Sequence, residues 1–177
     1  MTRNSIISTA IVLTLAIFAI GGQQALAQEA PRELSPDQAA EVRRAVVAWL
    51  ECEECEEGQL EAVQKLGGAA VPTLAATLER GPSAASRERA RRHLEDSYAK
   101  IAEHVKKYPE QKLEVSQEEY VKIYLENYVA NYQVRSAQAL SAIGGEPARK
   151  LLETAAERKS ARRDVQSALE AAAKAAR

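Results

Sequence analysis

The segment VRSAQALSAIGGEPARKLLETA, residues 134–155, carries the clearest architectural signal in this chain of 177 residues. A periodic run without Gly or Pro reaches Ile143, Gly144-Gly145 ends it, and Pro147 opens a short helix that runs to about Arg158. Glycine just past a helix and proline in the first turn of the next are what helix termini favour. The unit is therefore helix, Gly-Gly turn, helix. It occurs twice: a shift of 77 positions lays Leu66 on Ile143, Val63 on Leu140, Leu74 on Leu151 and Thr77 on Thr154. Such self-similarity implies helix pairs that hide their apolar faces by stacking on one another.

Segments 134–155 and 60–82 (LEAVQKLGGAAVPTLAATLERGP) resemble HEAT repeats, the second in a more degenerate form. In that family an inner helix carrying Val-Arg and alternating Ala and Leu ends at an Ile-Gly turn, and the next helix enters through a first-turn proline. Val134-Arg135, Ala139-Leu140, Ile143-Gly144 and Pro147 match this pattern, as do Leu66-Gly67 and Pro72. The resemblance implies a short right-handed α-solenoid of antiparallel helix pairs whose surface binds another macromolecule. It implies no catalytic residue. Residues 83–108 and the helix after Ser116 are long for the family, so a long central pair interrupts the regular repeat.

Outward from these units, Ser35-Pro36-Asp37-Gln38 combines an N-cap, a first-turn proline and a capping-box glutamine, predicting a helix over 36–51 with Val42, Ala45, Val46 and Trp49 inward. A shorter helix follows to Leu66, and a third starts near Ala69, tolerates Pro72 and ends at Gly81. Residues 83–108 form a long helix stopped by Tyr108-Pro109, and 109–115 form a loop. Ser116-Gln117-Glu118-Glu119 is a second capping box opening a helix to Ile143, and Ser160 is expected to cap a last helix over 161–176. No stretch alternates with period two, so the expectation is all-α with about seven helices.

The first 27 residues read as a cleaved secretory signal: Arg3, an apolar stretch from Ile6 to Ile20, and Ala25-Leu26-Ala27. The apolar stretch is shorter than the roughly 20 residues a spanning helix needs. Residues 28–35 are expected to be a flexible lead into a helical domain over 36–177. Cleavage removes the only Phe, leaving Trp49 and six Tyr as the large rings of an Ala-rich core. The remaining 150 residues carry 23 basic and 25 acidic side chains, a balance unlike that of a nucleic-acid binder. That balance averages two unlike parts: residues 28–82 have 5 basic and 11 acidic side chains, residues 83–177 have 18 and 14.

WLECEECEEGQL, residues 49–60, places Cys52 and Cys55 among five glutamates. Export favours a structural disulfide closing a tiny loop; a buried thiol, an intermolecular bridge, a redox pair and a zinc site are the alternatives. The surrounding carboxylates disfavour a reactive thiolate, and His93 and His104, about 16 Å apart along one helix, cannot share a metal ion. Tyr120, Tyr124, Tyr128 and Tyr132 recur every four residues. Either they cover the core edge with wet hydroxyls, or they line a groove for peptide or glycan. Arg87, Arg89, Arg91 and Arg92 make the fourth helix basic, as solvated helical pairs or as a surface for an acidic partner.

No Ser-His-Asp arrangement, phosphate-cradling glycine loop or His-Glu-x-x-His motif is present, so neither a reaction nor a cofactor is assigned. The sequence predicts a secreted or periplasmic, non-catalytic helical-repeat protein that acts as a binding or scaffold module. Its partner is expected to be another protein, met through Tyr120, Tyr124, Tyr128, Tyr132, Arg87 and Arg91, with no nucleic acid and no stable membrane anchor after cleavage. The alternative is a thiol-disulfide or metal-handling protein centred on Cys52 and Cys55.

Overall fold

A computed structural model describes residues 34–176 apart from 53, 56 and 109. The expected signal peptide, and all of 28–35 except Leu34 and Ser35, lie outside the described residues. These form seven α-helices and no strand: α1 (Pro36–Glu51), α2 (Glu57–Leu66), α3 (Val71–Arg80), α4 (Ala84–Lys107), α5 (Gln117–Ile143), α6 (Gly145–Glu157) and α7 (Arg163–Ala175).

Both capping boxes form. Ser35 Oγ accepts from the Gln38 amide at 3.2 Å while Gln38 Oε1 accepts from the Ser35 amide at 2.9 Å. Ser116 and Glu119 do the same for α5. Ser83 caps α4 by accepting from the Ser86 amide. A single 3₁₀ turn, Gly67–Ala69, separates α2 from α3, which therefore starts two residues later than the sequence predicts, with Pro72 in its first turn. The start of α7 also differs. Ser160 is not its cap: its Oγ accepts from the Arg162 amide at 3.2 Å, one residue ahead of the helix, its own amide donates to Gln166 Oε1 at 2.8 Å, and the helix begins at Arg163. Asp164 holds the first turn instead, accepting from the Val165 amide and pairing with Arg162. The favourable meeting of a carboxylate with a helix N-terminus accounts for the shift.

One core joins Val42, Val46, Trp49 and Leu50 of α1, Val63 of α2, Leu74 and Leu78 of α3, the later part of α5, and α6 and α7. The helix α5 packs on all six others, which explains why its apolar residues surround it instead of forming one stripe. Small residues make this feasible: Ala130, Ser136, Ala137 and Ala139 are buried on it, so neighbouring backbones approach closely. The repeated positions Val63 and Leu140 are both fully buried.

The long helices depart from this pattern. The helix α4 packs chiefly on α5 and buries only Ser86, and α5 buries nothing before Ala130. The later part of α4 and the first part of α5 thus form a two-helix arm beside the core. Tyr98 ties it together, its hydroxyl donating to Val115 O at 2.9 Å and its ring lying 5.5 Å from that of Tyr120.

Candidate functional site: the end of α1 and the α4–α5 arm

A helix leaves its last carbonyls without intrahelical partners. At the end of α1 they meet Arg135, a residue more than eighty positions away on α5. Its Nη1 donates to Trp49 O at 3.1 Å, to Leu50 O at 3.2 Å and to Cys52 O. The bond is reciprocal, because Trp49 Nε1 donates to Arg135 O at 3.1 Å and the guanidinium sits 5.8 Å from the indole centroid. A cation at a helix C-terminus also opposes the negative end of the helix dipole. The three carbonyls share the two hydrogens of this one nitrogen, and the cation itself is what suits the carbonyl end of a helix.

Directly beyond, Cys52 and Cys55 form a disulfide, with Sγ atoms 1.96 Å and Cα atoms 5.2 Å apart. Cys52 is half-buried and Cys55 exposed. Arg135 Nη1 lies 3.1 Å from Cys52 Sγ. The sequence shows only glutamates around this pair; the fold supplies a cation to one sulfur.

Glu51, beside the pair in sequence, is drawn elsewhere. Its carboxylate accepts from the Tyr132 hydroxyl, lies 3.5 Å from both the Tyr128 and Ser86 hydroxyls, and is 3.7 Å from Arg89 Nη2. Tyr128 and Tyr132 share a hydrogen bond of 3.0 Å. Burial first, then the Glu51 carboxylate, holds the Tyr132 phenol well above the usual tyrosine range. Burial raises Tyr128 as well. An open cleft of about 570 Å³ continues from this node between α4 and α5, lined among others by Arg89, His93, Tyr124, Asn127 and Asn131.

The four tyrosines therefore do not make one surface. Tyr132 is 3% exposed and turns its hydroxyl inward onto Glu51, so the expectation of wet hydroxyls fails there. Tyr120 and Tyr124, 4.5 Å apart by ring centroid, belong to the arm with Tyr98. Tyr124 and its neighbour Ile123 are each 48% exposed, and Ile101 and Tyr108 of the arm are exposed as well.

Arg87 and Arg91 line a shallow cleft between α3 and α4 together with Arg80. Arg91 is engaged along its own helix by Glu88 at 2.7 Å and by Glu95. The Arg91 and Arg92 guanidinium groups hold the Glu88 carboxyl down to about 2. Arg87 Nη2 donates to Arg80 O at the end of α3. Glu51, Ser86 and Arg135 are the members of this region that sequence reasoning passed over as site residues, and Arg89, expected only as part of a basic helix face, turns to Glu51. The usable signal was Arg135, a charge set among apolar and small residues that the period of α5 turns inward.

Among the described residues no three His, Cys, Asp or Glu side chains converge as a metal site, and no helix is long and apolar enough to cross a membrane. Comparison with family models, with curated proteins and with solved structures finds no match to this chain.

Proposed function

We propose that this protein is an exported, non-catalytic helical-repeat module that binds another protein through the α4–α5 arm. The observation that carries the reading is the arm itself, two long helices in which no described residue between 87 and 129 is fully buried and in which Ile101, Tyr108, Ile123 and Tyr124 are exposed. Exposed aromatic and aliphatic residues are the usual anchors of protein interfaces, and the arm carries four of the six exposed large hydrophobic residues among the described residues. Export is supported by the signal-like residues 1–27 and by a disulfide, a bond that persists in oxidising compartments.

We further propose that the core is a short right-handed HEAT-like solenoid of antiparallel pairs, with α2–α3 and α5–α6 as its two units. The contacts of α3 with both α5 and α6, and of α2 with α5, support stacking of one unit on the other. The α4–α5 arm is then an insertion that lengthens one helix of the second unit. Neither nucleic acid nor membrane is assigned as a partner.

Affinity capture from the exported fraction tests the reading, with the full chain as bait beside a doubly substituted Ile123→Ser, Tyr124→Ser chain. A protein retained by the first and lost from the second supports it. Equal retention by both, or none by either, counts against it. A second reading, thiol exchange at Cys52 and Cys55, is favoured by one observation, the Arg135 guanidinium on Cys52 Sγ.

A further inference from the structure

We infer that the Cys52–Cys55 disulfide is an exchange site for external thiols, in which Cys55 is the sulfur attacked and Arg135 positions and stabilises the departing Cys52 thiolate. This deepens the thiol-exchange reading, on which it rests, by assigning the attacked and the leaving sulfur, and it is independent of protein binding by the arm.

Two asymmetries carry it. Cys55 is exposed and Cys52 half-buried, so an approaching thiolate meets the Cys55 sulfur first. Arg135 Nη1 is 3.1 Å from Cys52 Sγ, and a sulfur that leaves as an anion departs faster where a cation receives it. The guanidinium does not depend on the disulfide for its place. The carbonyls of Trp49, Leu50 and Cys52 and the indole of Trp49 hold it, so it is already set when the bond opens. Glu51, the carboxylate beside Cys52, is occupied by Tyr132, Tyr128, Ser86 and Arg89. One of the carboxylates adjacent to Cys52 in sequence is thereby drawn to a cluster of its own, with Arg89 at 3.7 Å.

In the proposed step a thiolate attacks Cys55 Sγ and forms a new S–S bond to it. The Cys52–Cys55 bond breaks, and its electron pair leaves on Cys52 Sγ as a thiolate paired with Arg135. A second thiolate then attacks the external sulfur of the mixed disulfide, releasing the Cys55 thiolate and an oxidised thiol pair. Two external thiols are oxidised and one disulfide of the protein is reduced. The substrate class is a pair of solvent-accessible thiols, either small molecules or cysteines of another protein.

The test uses the oxidised full chain with limiting reduced glutathione, trapping by iodoacetamide and peptide mass mapping. Glutathione on Cys55 with the alkyl group on Cys52 is the expected pattern; the reverse pattern, or no mixed disulfide at all, overturns the inference. Rates of reduction in Arg135→Gln and Arg135→Lys chains add a second readout. With the glutamine chain folded by circular dichroism, reduction should slow about tenfold and the lysine chain should recover part of the rate. Merely loosening the turn would speed reduction by exposing Cys52, so equal or faster reduction in a folded glutamine chain contradicts the role of Arg135. If that chain does not fold, the mapping on the unsubstituted protein decides alone.

Discussion

Arg135 and Glu51 each tie the end of α1 to residues more than thirty positions away, and their removal should be felt in different ways. Arg135→Met takes the partner from three carbonyls and from the Trp49 ring, so we expect a loss of ~2–4 kcal/mol in denaturant unfolding, the range for stripping partners from part-buried polar groups. Trp49, the only tryptophan, reports it by fluorescence. At Glu51 the sign follows from the tyrosines. Tyr132 and Tyr128 have folded pKa values raised above the unfolded value, so their contribution is complete below the ordinary phenol pKa near 10 and disappears as pH rises toward the raised values. Unfolding should therefore become easier above about pH 10. Glu51→Gln removes the charge that opposes the Tyr132 phenolate, and its ultraviolet tyrosinate titration should begin at lower pH; an unchanged curve would show that burial alone sets the shift.

At the scale of elements, the turns that end α3 and α5 use glycine in the same backbone region but in different surroundings. Gly81 has φ 70° and a Cβ placed there would lie 2.8 Å from Val129 Cγ1, whereas Gly144 has φ 68° and open space. Gly144→Ala should cost ~1–3 kcal/mol from backbone conformation alone, and Gly81→Ala clearly more, since α5 must also move. Equal losses in thermal unfolding would contradict that packing. Most helix boundaries were legible in the sequence because they are set locally: Ser35 with Gln38, Ser116 with Glu119, and the Gly-Gly turns all act within four residues. The start of α7 was not, because Ser160 answers to Gln166 six residues on, and Arg162 with Asp164 takes over the first turn.

For the whole molecule, the core and the arm should respond oppositely to substitution. Leu140 is fully buried on the helix that touches every other, and Leu140→Ala should cost ~2–5 kcal/mol. Ile123→Ser and Tyr124→Ser on the arm should change stability by less than about 1 kcal/mol. The all-helical class was legible from periodicity and breakers, and so was the pair of long central helices. The division of the tyrosine stripe was not: which rings turn inward depends on where α1 ends against α5, a contact spanning 81 positions that no local pattern encodes. The near-neutral composition hid this too, since the arginines of α4 meet their partners Glu88, Glu95 and Glu51 only on the folded helix face.

The claim that the arm is a protein-binding surface is tested most directly by photo-crosslinking in the native compartment, with a benzophenone amino acid placed at Tyr124 in one chain and at exposed Glu61 of α2 in another. A discrete, saturable protein adduct is expected from position 124 and none from position 61. No adduct at 124, or the same products from both positions, would contradict it.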